Sequence, residues 1–163
     1  MALPRSATAK ILSRGALLRR VRRLGRRRIV FTNGCFDLLH AGHVTLLERA
    51  KRHGDLLIVG INSDRSVRAL KGPGRPVVGQ RDRARVLAAL ESVDYVTVFD
   101  EPTPQRLLEA LRPHVLIKGA DWAASAIVGR DVVRQRGGRV IRFPLLKGYS
   151  TSKLIQRIKH DCR

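Results

Sequence analysis

The sequence is poor in cysteine, aromatic residues and acidic residues, and it has no long apolar run. Its 163 residues include two cysteines, and only 4% are Phe, Trp or Tyr. Two cysteines cannot build the disulfide framework of a small secreted domain, so we expect a reducing, cytoplasmic compartment. No apolar stretch reaches the roughly 18 residues of a transmembrane helix, and we therefore expect no membrane partner.

The shortage of acids leaves a net charge of +20, from 33 basic and 13 acidic residues. Half of this excess lies in residues 1–28, which contain ten Lys or Arg and no acid. Such a charge is typical of nucleic-acid binding. However, the chain lacks the aromatic platform of RNA-binding modules, and an enzyme with polyanionic substrates is also basic. We therefore expect no nucleic-acid partner, with a basic nucleic-acid-binding module as an alternative.

The basic start also resembles the composition of a mitochondrial transit peptide. Against that interpretation, Leu17, Leu18, Val21 and Leu24 recur at the spacing of one helical face and lead directly into the first strand. We therefore predict a basic N-terminal segment over residues 1–27 that contains a surface helix. A single folded domain is predicted over residues 28–160.

Short apolar strands alternate with amphipathic helices along this domain, and a Gly/Pro-rich loop occupies residues 71–79. This alternation predicts a Rossmann-like, doubly wound α/β fold with a five-stranded parallel sheet. Ligands of such sheets bind at the carboxyl ends of the strands. The predicted strands are 29–31, 56–61, 95–99, 115–117 and 140–143, and the predicted helices are 42–53, 80–90, 104–111, 127–136 and 151–159.

The segment after the first strand carries two histidines, His40 and His43, on either side of Gly42. It lies where a loop enters a helix, and a helix start offers free N–H groups and a partial positive charge to phosphate. Because Gly42 has no side chain, a triphosphate can approach the backbone there. The imidazoles can then donate hydrogen bonds to phosphate oxygens whose charge grows during transfer.

The stretch GCFDLLHAGH, residues 34–43, resembles the signature of the HxGH nucleotidyltransferase superfamily. Within it, the chain is similar to the adenylyltransferase domain of bifunctional heptose kinase–adenylyltransferases. The similarity extends over about residues 10–160. It includes the segments GINSDRSV at 60–67, LKGPGRPV at 70–77, LAALESVDYV at 87–96, IKGADW at 117–122 and GYSTSKLI at 148–155.

The resemblance implies transfer of AMP from ATP to D-glycero-β-D-manno-heptose 1-phosphate, which would supply lipopolysaccharide core synthesis, and a homodimer. It implies that the catalytic residues are His40, His43 and Lys71. The expected nucleotide-binding residues are Thr32, Asn33, Gly34, Cys35, Phe36, His40, Gly42, His43, Lys118, Gly119, Asp121, Ser150, Thr151 and Ser152. The expected sugar-phosphate-binding residues are Asp37, Asp64, Lys71 and Arg75. Asp37 has the alternative role of bracing its loop, and Asp64 that of capping the short segment after Ser63.

The pattern contains no metal-ligand set, since the histidine spacing lacks a third and fourth ligand. We therefore expect Mg²⁺ to arrive bound mainly to ATP oxygens. We expect solvated helix residues among Arg81, Arg83 and Arg85. Arg81 is the first candidate of the three for a contact with a substrate.

Two departures from the cytidylyltransferase relatives bear on which nucleotide the chain uses, ATP or CTP. Those relatives carry an Arg-Thr pair where this chain has Leu145-Leu146, and an acidic pair where it has Ala120-Asp121. Both departures favour ATP over CTP. A cytidylyltransferase that acts on glycerol phosphate or a similar alcohol phosphate is the alternative enzyme.

Overall fold

The structure, a computed structural model, describes residues 6–120, 123–144, 146 and 148–161. Within these residues, strands and helices alternate from residue 29 onward. The strands are β1 Ile29–Gly34, β2 Leu56–Asn62, β3 Tyr95–Phe99, β4 Val115–Gly119 and β5 Arg139–Phe143. The helices are α1 Ala7–Lys10, α2 Arg14–Arg23, α3 Ala41–Lys51, α4 Asp64–Lys71, α5 Gln80–Ala89, α6 Gln105–Leu111, α7 Arg130–Arg134 and α8 Thr151–Asp161, with a 3₁₀ turn at Ala124–Ala126.

The five strands form one parallel sheet in the order β3-β2-β1-β4-β5. The predicted α/β fold with a five-stranded parallel sheet is therefore confirmed. The strand order reverses direction at β1, which places β1 between β2 and β4. This is the switch point at which open parallel sheets bind their ligands.

The sheet is covered on both faces, as a parallel sheet requires. Adjacent residues of one strand point to opposite faces, and this separates the core into two apolar clusters. Val30 and Leu57 belong to one cluster, while Phe31 and Ile58 belong to the other. Every residue of β2 is buried, which accounts for its unbroken apolar sequence.

Two helical regions differ from the prediction. Helix α4 was not predicted; it begins after Ser63, whose hydroxyl accepts the Ser66 amide, and its eight residues are too few for a clear apolar period. Helix α7 is shorter than the predicted 127–136. It begins after Gly129, which has φ +84°, and a Cβ there would lie 2.1 Å from Leu108 Cδ1. The chain therefore turns at this glycine before the helix starts.

The N-terminal segment packs against the β3 side of the sheet. Ile11 forms a parallel bridge with Val96, and the Leu12 amide donates to the Val96 carbonyl at 2.9 Å. Helix α2 is amphipathic as predicted, and Leu17 on its apolar face is fully buried. The division of the chain at residues 27 and 28 stays a prediction. In the described ranges, no helix is both long enough and apolar enough to cross a membrane.

Candidate active site

A cleft of about 600 Å³ opens at the carboxyl ends of β1, β2 and β4, where the sheet topology predicts a ligand. All but two of the predicted site residues line it. The exceptions are Asp121, which lies outside the described residues, and Asp64. Residues from β1, α3, α4, β4 and the start of α8 meet in this cleft, so it assembles segments that are distant in sequence.

The two histidines lie together at the start of α3. Their rings are stacked, with centroids 3.8 Å apart and an angle of 19° between the planes. His40 is the N-cap residue, and no side chain caps the first turn. Among the described residues, the buried Nδ1 atoms of both rings have no hydrogen-bond partner, which is unusual for buried polar atoms. Both rings line the cleft, so a ligand bound there would contact the imidazoles.

Burial also keeps the two imidazoles neutral. It lowers the pKa of His43 to about 4, with a smaller contribution from the adjacent His40. Burial lowers the pKa of His40 as well. A neutral imidazole carries one N–H donor. A phosphate beside the rings would favour their protonated form, since an opposite charge stabilises the charged state.

These lowered pKa values predict an acid-sensitive fold. The His43 pKa is about 4 in the folded chain and about 6.5 in the unfolded chain, so the unfolded chain binds more protons between these values. Stability is therefore present above pH 6.5 and is lost as the pH falls toward 4. Between pH 7 and pH 5 we expect a loss of about 2 kcal/mol from His43. Urea unfolding at both pH values measures it, and an equal loss in His43→Gln would contradict the assignment.

Asp37 braces the loop that follows β1. Its buried carboxylate accepts the amides of Val77 and Val78, at 2.8 and 2.9 Å, and pairs with Arg75 Nε at 2.6 Å. Burial by itself would raise the pKa of Asp37, but these amides and the guanidinium outweigh it and hold the pKa below its ordinary value. The geometry therefore favours the bracing role, which the sequence left as an alternative to sugar-phosphate binding. Arg75 lines the cleft while its charge is paired.

Two lysines bring positive charge to the cleft. Lys118, at the end of β4, is buried, and its Nζ donates to Asn33 Oδ1 at 2.6 Å. Lys71 is the last residue of α4 rather than part of the predicted loop, and it is exposed. Among the described residues Lys71 has no ion-pair partner. Lys118 is thus held inside the cleft by Asn33 of β1, whereas Lys71 is exposed at the rim of the cleft.

The start of α8 closes another side of the cleft. Ser150 Oγ accepts the Lys153 amide at 3.1 Å, which is the predicted N-cap hydrogen bond. Thr151 Oγ1 donates to the Leu38 carbonyl at 3.4 Å and so connects α8 to the histidine loop. Ser150, Thr151 and Ser152 at this second helix start line the same cleft as Gly42 and His43 of α3.

Arg83 is a residue whose importance the sequence did not show. It was grouped with solvated helix arginines, but it is 2% exposed. Its guanidinium donates to the carbonyls of Cys35, Asn62 and Val78 and to the Asp64 carboxylate. It therefore joins the loops after β1 and β2 to the segment before α5. The Asp64 carboxylate pairs with Arg83, and Asp64 does not line the cleft, so its position gives no support to a sugar-phosphate-binding role.

Several cleft residues were not predicted. Tyr149 lies across the cleft from the histidines, with its ring centroid 6.1 Å from that of His40. Asn62 ends β2, and its place at a strand end was the available signal. A Cβ on Gly42 would lie 3.1 Å from the His40 ring and 3.3 Å from Tyr149 Cβ, so a side chain there would crowd the ring. The other unpredicted lining residues are Leu46, Leu70, Pro102, Thr103, Pro104, Ile127, Val128 and Leu146.

Protein ligands for a metal are scarce in this cleft. Within the described ranges, no group of three or more His, Cys, Asp or Glu is placed to hold an ion. Asp37, the carboxylate in the cleft lining, is already bound to two amides and Arg75.

The fold and the site define a nucleotidyltransferase: two helix starts, stacked neutral histidines and two lysines surround a cleft at the switch point of a parallel sheet. The chain belongs to the cytidylyltransferase-like family, which matches residues 31–157.

The chain is similar to curated proteins of the same type. It is 56% identical over 153 residues to the bifunctional protein HldE of Koribacter versatilis, covering 93% of this chain and 32% of that protein. It is 54% identical over 144 residues to HldE of Syntrophotalea carbinolica, covering 86% of this chain and 29% of that protein. The chain thus spans about a third of the length of these relatives.

Solved structures agree on the fold. A lipopolysaccharide core biosynthesis protein of Thermoplasma volcanium matches with a TM-score of 0.63 at 22% identity, over 74% of this chain and 99% of that one. A pantothenate synthetase of Thermus thermophilus matches with a TM-score of 0.55 at 20% identity, over 84% of this chain and 62% of that one.

Proposed function

We propose that this chain is an adenylyltransferase that transfers AMP from ATP to D-glycero-β-D-manno-heptose 1-phosphate and releases pyrophosphate. The observation that carries the proposal is the stacked pair of neutral histidines that line the cleft at the start of α3. Support for the sugar comes from the motifs shared with bifunctional heptose enzymes and from the 56% identity to an HldE protein. The product would supply lipopolysaccharide core synthesis.

The chemistry needs positioning and charge stabilisation more than a general base. A sugar 1-phosphate is an anion at neutral pH, and one of its oxygens attacks the α-phosphorus of ATP. The bond between that phosphorus and the bridging oxygen to the β-phosphate breaks, and pyrophosphate leaves with its electrons. The charge that grows on the phosphate oxygens would be stabilised by His40, His43, Lys118 and the amides at the start of α3.

The remaining roles are proposed from position. Lys71 at the rim would close onto the phosphates when both substrates are bound. Ser150, Thr151 and Ser152 at the start of α8 would hold the departing phosphates. Magnesium, when bound to the ATP oxygens, would neutralise part of their charge.

The alternatives have less support. Membership of the cytidylyltransferase-like family does not determine whether the nucleotide substrate is ATP or CTP. The curated relatives do not favour an alcohol-phosphate cytidylyltransferase. The phosphate-binding cleft and these relatives do not favour a nucleic-acid-binding module as the main function.

A two-by-two pyrophosphate-release assay tests the proposal. ATP and CTP are each paired with heptose 1-phosphate and with glycerol 3-phosphate, and pyrophosphate is measured at equal substrate concentrations. We expect kcat/KM for ATP with heptose 1-phosphate to exceed the other three combinations by at least 100-fold. A preference for CTP with glycerol 3-phosphate would overturn both the base and the acceptor.

We further propose a homodimer that works in the cytoplasm, where ATP and sugar phosphates are present. The exposed edge strand β5 and the exposed Ile158 of α8, at 56% accessibility, support a self-association surface. Light scattering after size exclusion measures the mass in solution, and a monomer at all concentrations would contradict the dimer.

A further inference from the structure

We propose that a basic cleft at the amino ends of β1, β4 and β5 is a second anion site, which binds a compact oligophosphate. The basic cleft has a volume of about 430 Å³ and is lined by Arg26, Arg28, Arg112, Pro113, His114, Arg136, Gly137 and Gly138. These residues lie just before β1, β4 and β5, which are neighbours in the sheet. The active-site cleft lies at the carboxyl ends of the strands, so the two clefts are separated by the length of the sheet.

The arginines of the basic cleft carry charge that no described carboxylate pairs with. Arg26, Arg28, Arg112 and Arg136 are exposed, and none of them forms an ion pair with a carboxylate in the part of the chain that the structure describes. The nearby acid Asp55 accepts the backbone amide of Arg28 at 2.6 Å. Four guanidinium groups around one cavity repel one another, and a bound polyanion would relieve this repulsion.

The floor of the basic cleft is held by backbone hydrogen bonds. The Ile29 amide donates to His114 Nδ1 at 3.0 Å, while the His114 amide donates to the Ile29 carbonyl at 2.9 Å. The Arg139 amide donates to the His114 carbonyl at 2.9 Å. Because Nδ1 accepts a hydrogen bond, the ring proton of neutral His114 is on Nε2. The cleft therefore has a fixed floor and a further N–H donor.

Arg112 stands at a position that normally favours glycine. It is the C-cap residue of α6 and has φ +54°, in the left-handed region. Glycine adopts this conformation without the steric cost that a side chain brings. An arginine at such a cap is explained if its side chain contributes something else, and here it lines the basic cleft.

Size and chemistry together identify the class of ligand. Guanidinium groups bind phosphate through paired hydrogen bonds, which makes arginine well suited to phosphate recognition. The volume of the basic cleft lies in the range of small-molecule sites. A tripolyphosphate, or the phosphate tail of a nucleotide, matches both the size and the excess of positive charge.

Calorimetric titration with tripolyphosphate tests the proposal. We expect the unchanged chain to bind two equivalents, one in each cleft. In the double variant Arg112→Gln/Arg136→Gln, one tripolyphosphate-binding event should persist, and the affinity of the other should fall at least tenfold. Its turnover should stay within twofold of the unchanged chain. The matched control is Arg49→Gln/Arg85→Gln, which removes the same charge from two exposed helix positions and should keep both events.

A second measurement does not depend on the variants. In amide NMR spectra of the unchanged chain, the Gly137 and Gly138 signals should shift with tripolyphosphate and saturate. A single equivalent bound, with both signals unmoved, would overturn the proposal. The proposal would also be overturned if a short single-stranded RNA bound through Arg112 and Arg136 and tripolyphosphate did not. The basic cleft would then be a nucleic-acid interface.

Discussion

Replacing His43 or His40 with alanine is expected to lower kcat by about 10²–10³-fold, the loss that follows removal of one donor to a developing charge. The stacked rings lie at the start of α3, and both line the active-site cleft. Each ring can therefore offer an N–H group to a bound phosphate. Pyrophosphate release at saturating ATP and sugar phosphate measures the loss.

The control for this prediction is His53→Ala, which removes a histidine outside the active-site cleft. It should keep kcat within about twofold, while its effect on stability is measured in parallel. Unfolding of the His43→Ala chain at pH 7 should show that the fold is retained, because among the described residues no hydrogen-bond partner of the His43 Nδ1 atom is lost with the ring. A kcat within a few-fold of normal in either His40→Ala or His43→Ala would remove that histidine from the mechanism.

Replacing Arg83 with methionine is expected to lower the free energy of unfolding by about 3 kcal/mol or more. The change removes a buried guanidinium and leaves the carbonyls of Cys35 and Asn62 and the Asp64 carboxylate without their donor. The Asp64 side chain is 36% exposed and can regain water, but the carbonyls that lose their donor stay desolvated, and this accounts for most of the loss. Urea denaturation measures the loss.

The matched control is Arg85→Met, two residues away on α5 and exposed, which should change stability by no more than about 0.5 kcal/mol. Arg83→Lys keeps the charge but not the fork of donors, so it should lie between Arg83→Met and the unchanged chain. Equal losses in Arg83→Met and Arg85→Met would mean that the guanidinium contacts contribute nothing specific. We expect activity to fall with stability, since Arg83 holds the loop that leads to the histidines.

The regular elements of the domain could be predicted because their signals are local. Apolar runs such as 56–61 are typical of buried parallel strands, and a helix that follows a strand limits how the chain can return. The histidine loop could be predicted for the same reason, since a strand end, a short loop and a helix start are close in sequence. Helix α4 was missed because its eight residues carry too short a pattern.

The sequence by itself therefore determined the parallel α/β architecture and the position of the histidine loop between β1 and α3. Only the tertiary structure decided which polar side chains are free for a ligand. Asp37 pairs with Arg75 across 38 residues, Asp64 with Arg83 across 19, and Lys118 with Asn33 across 85. Such pairs depend on which strand ends become neighbours, and periodicity within one segment carries no information about that. The same packing brought exposed arginines from three distant turns together into the basic cleft.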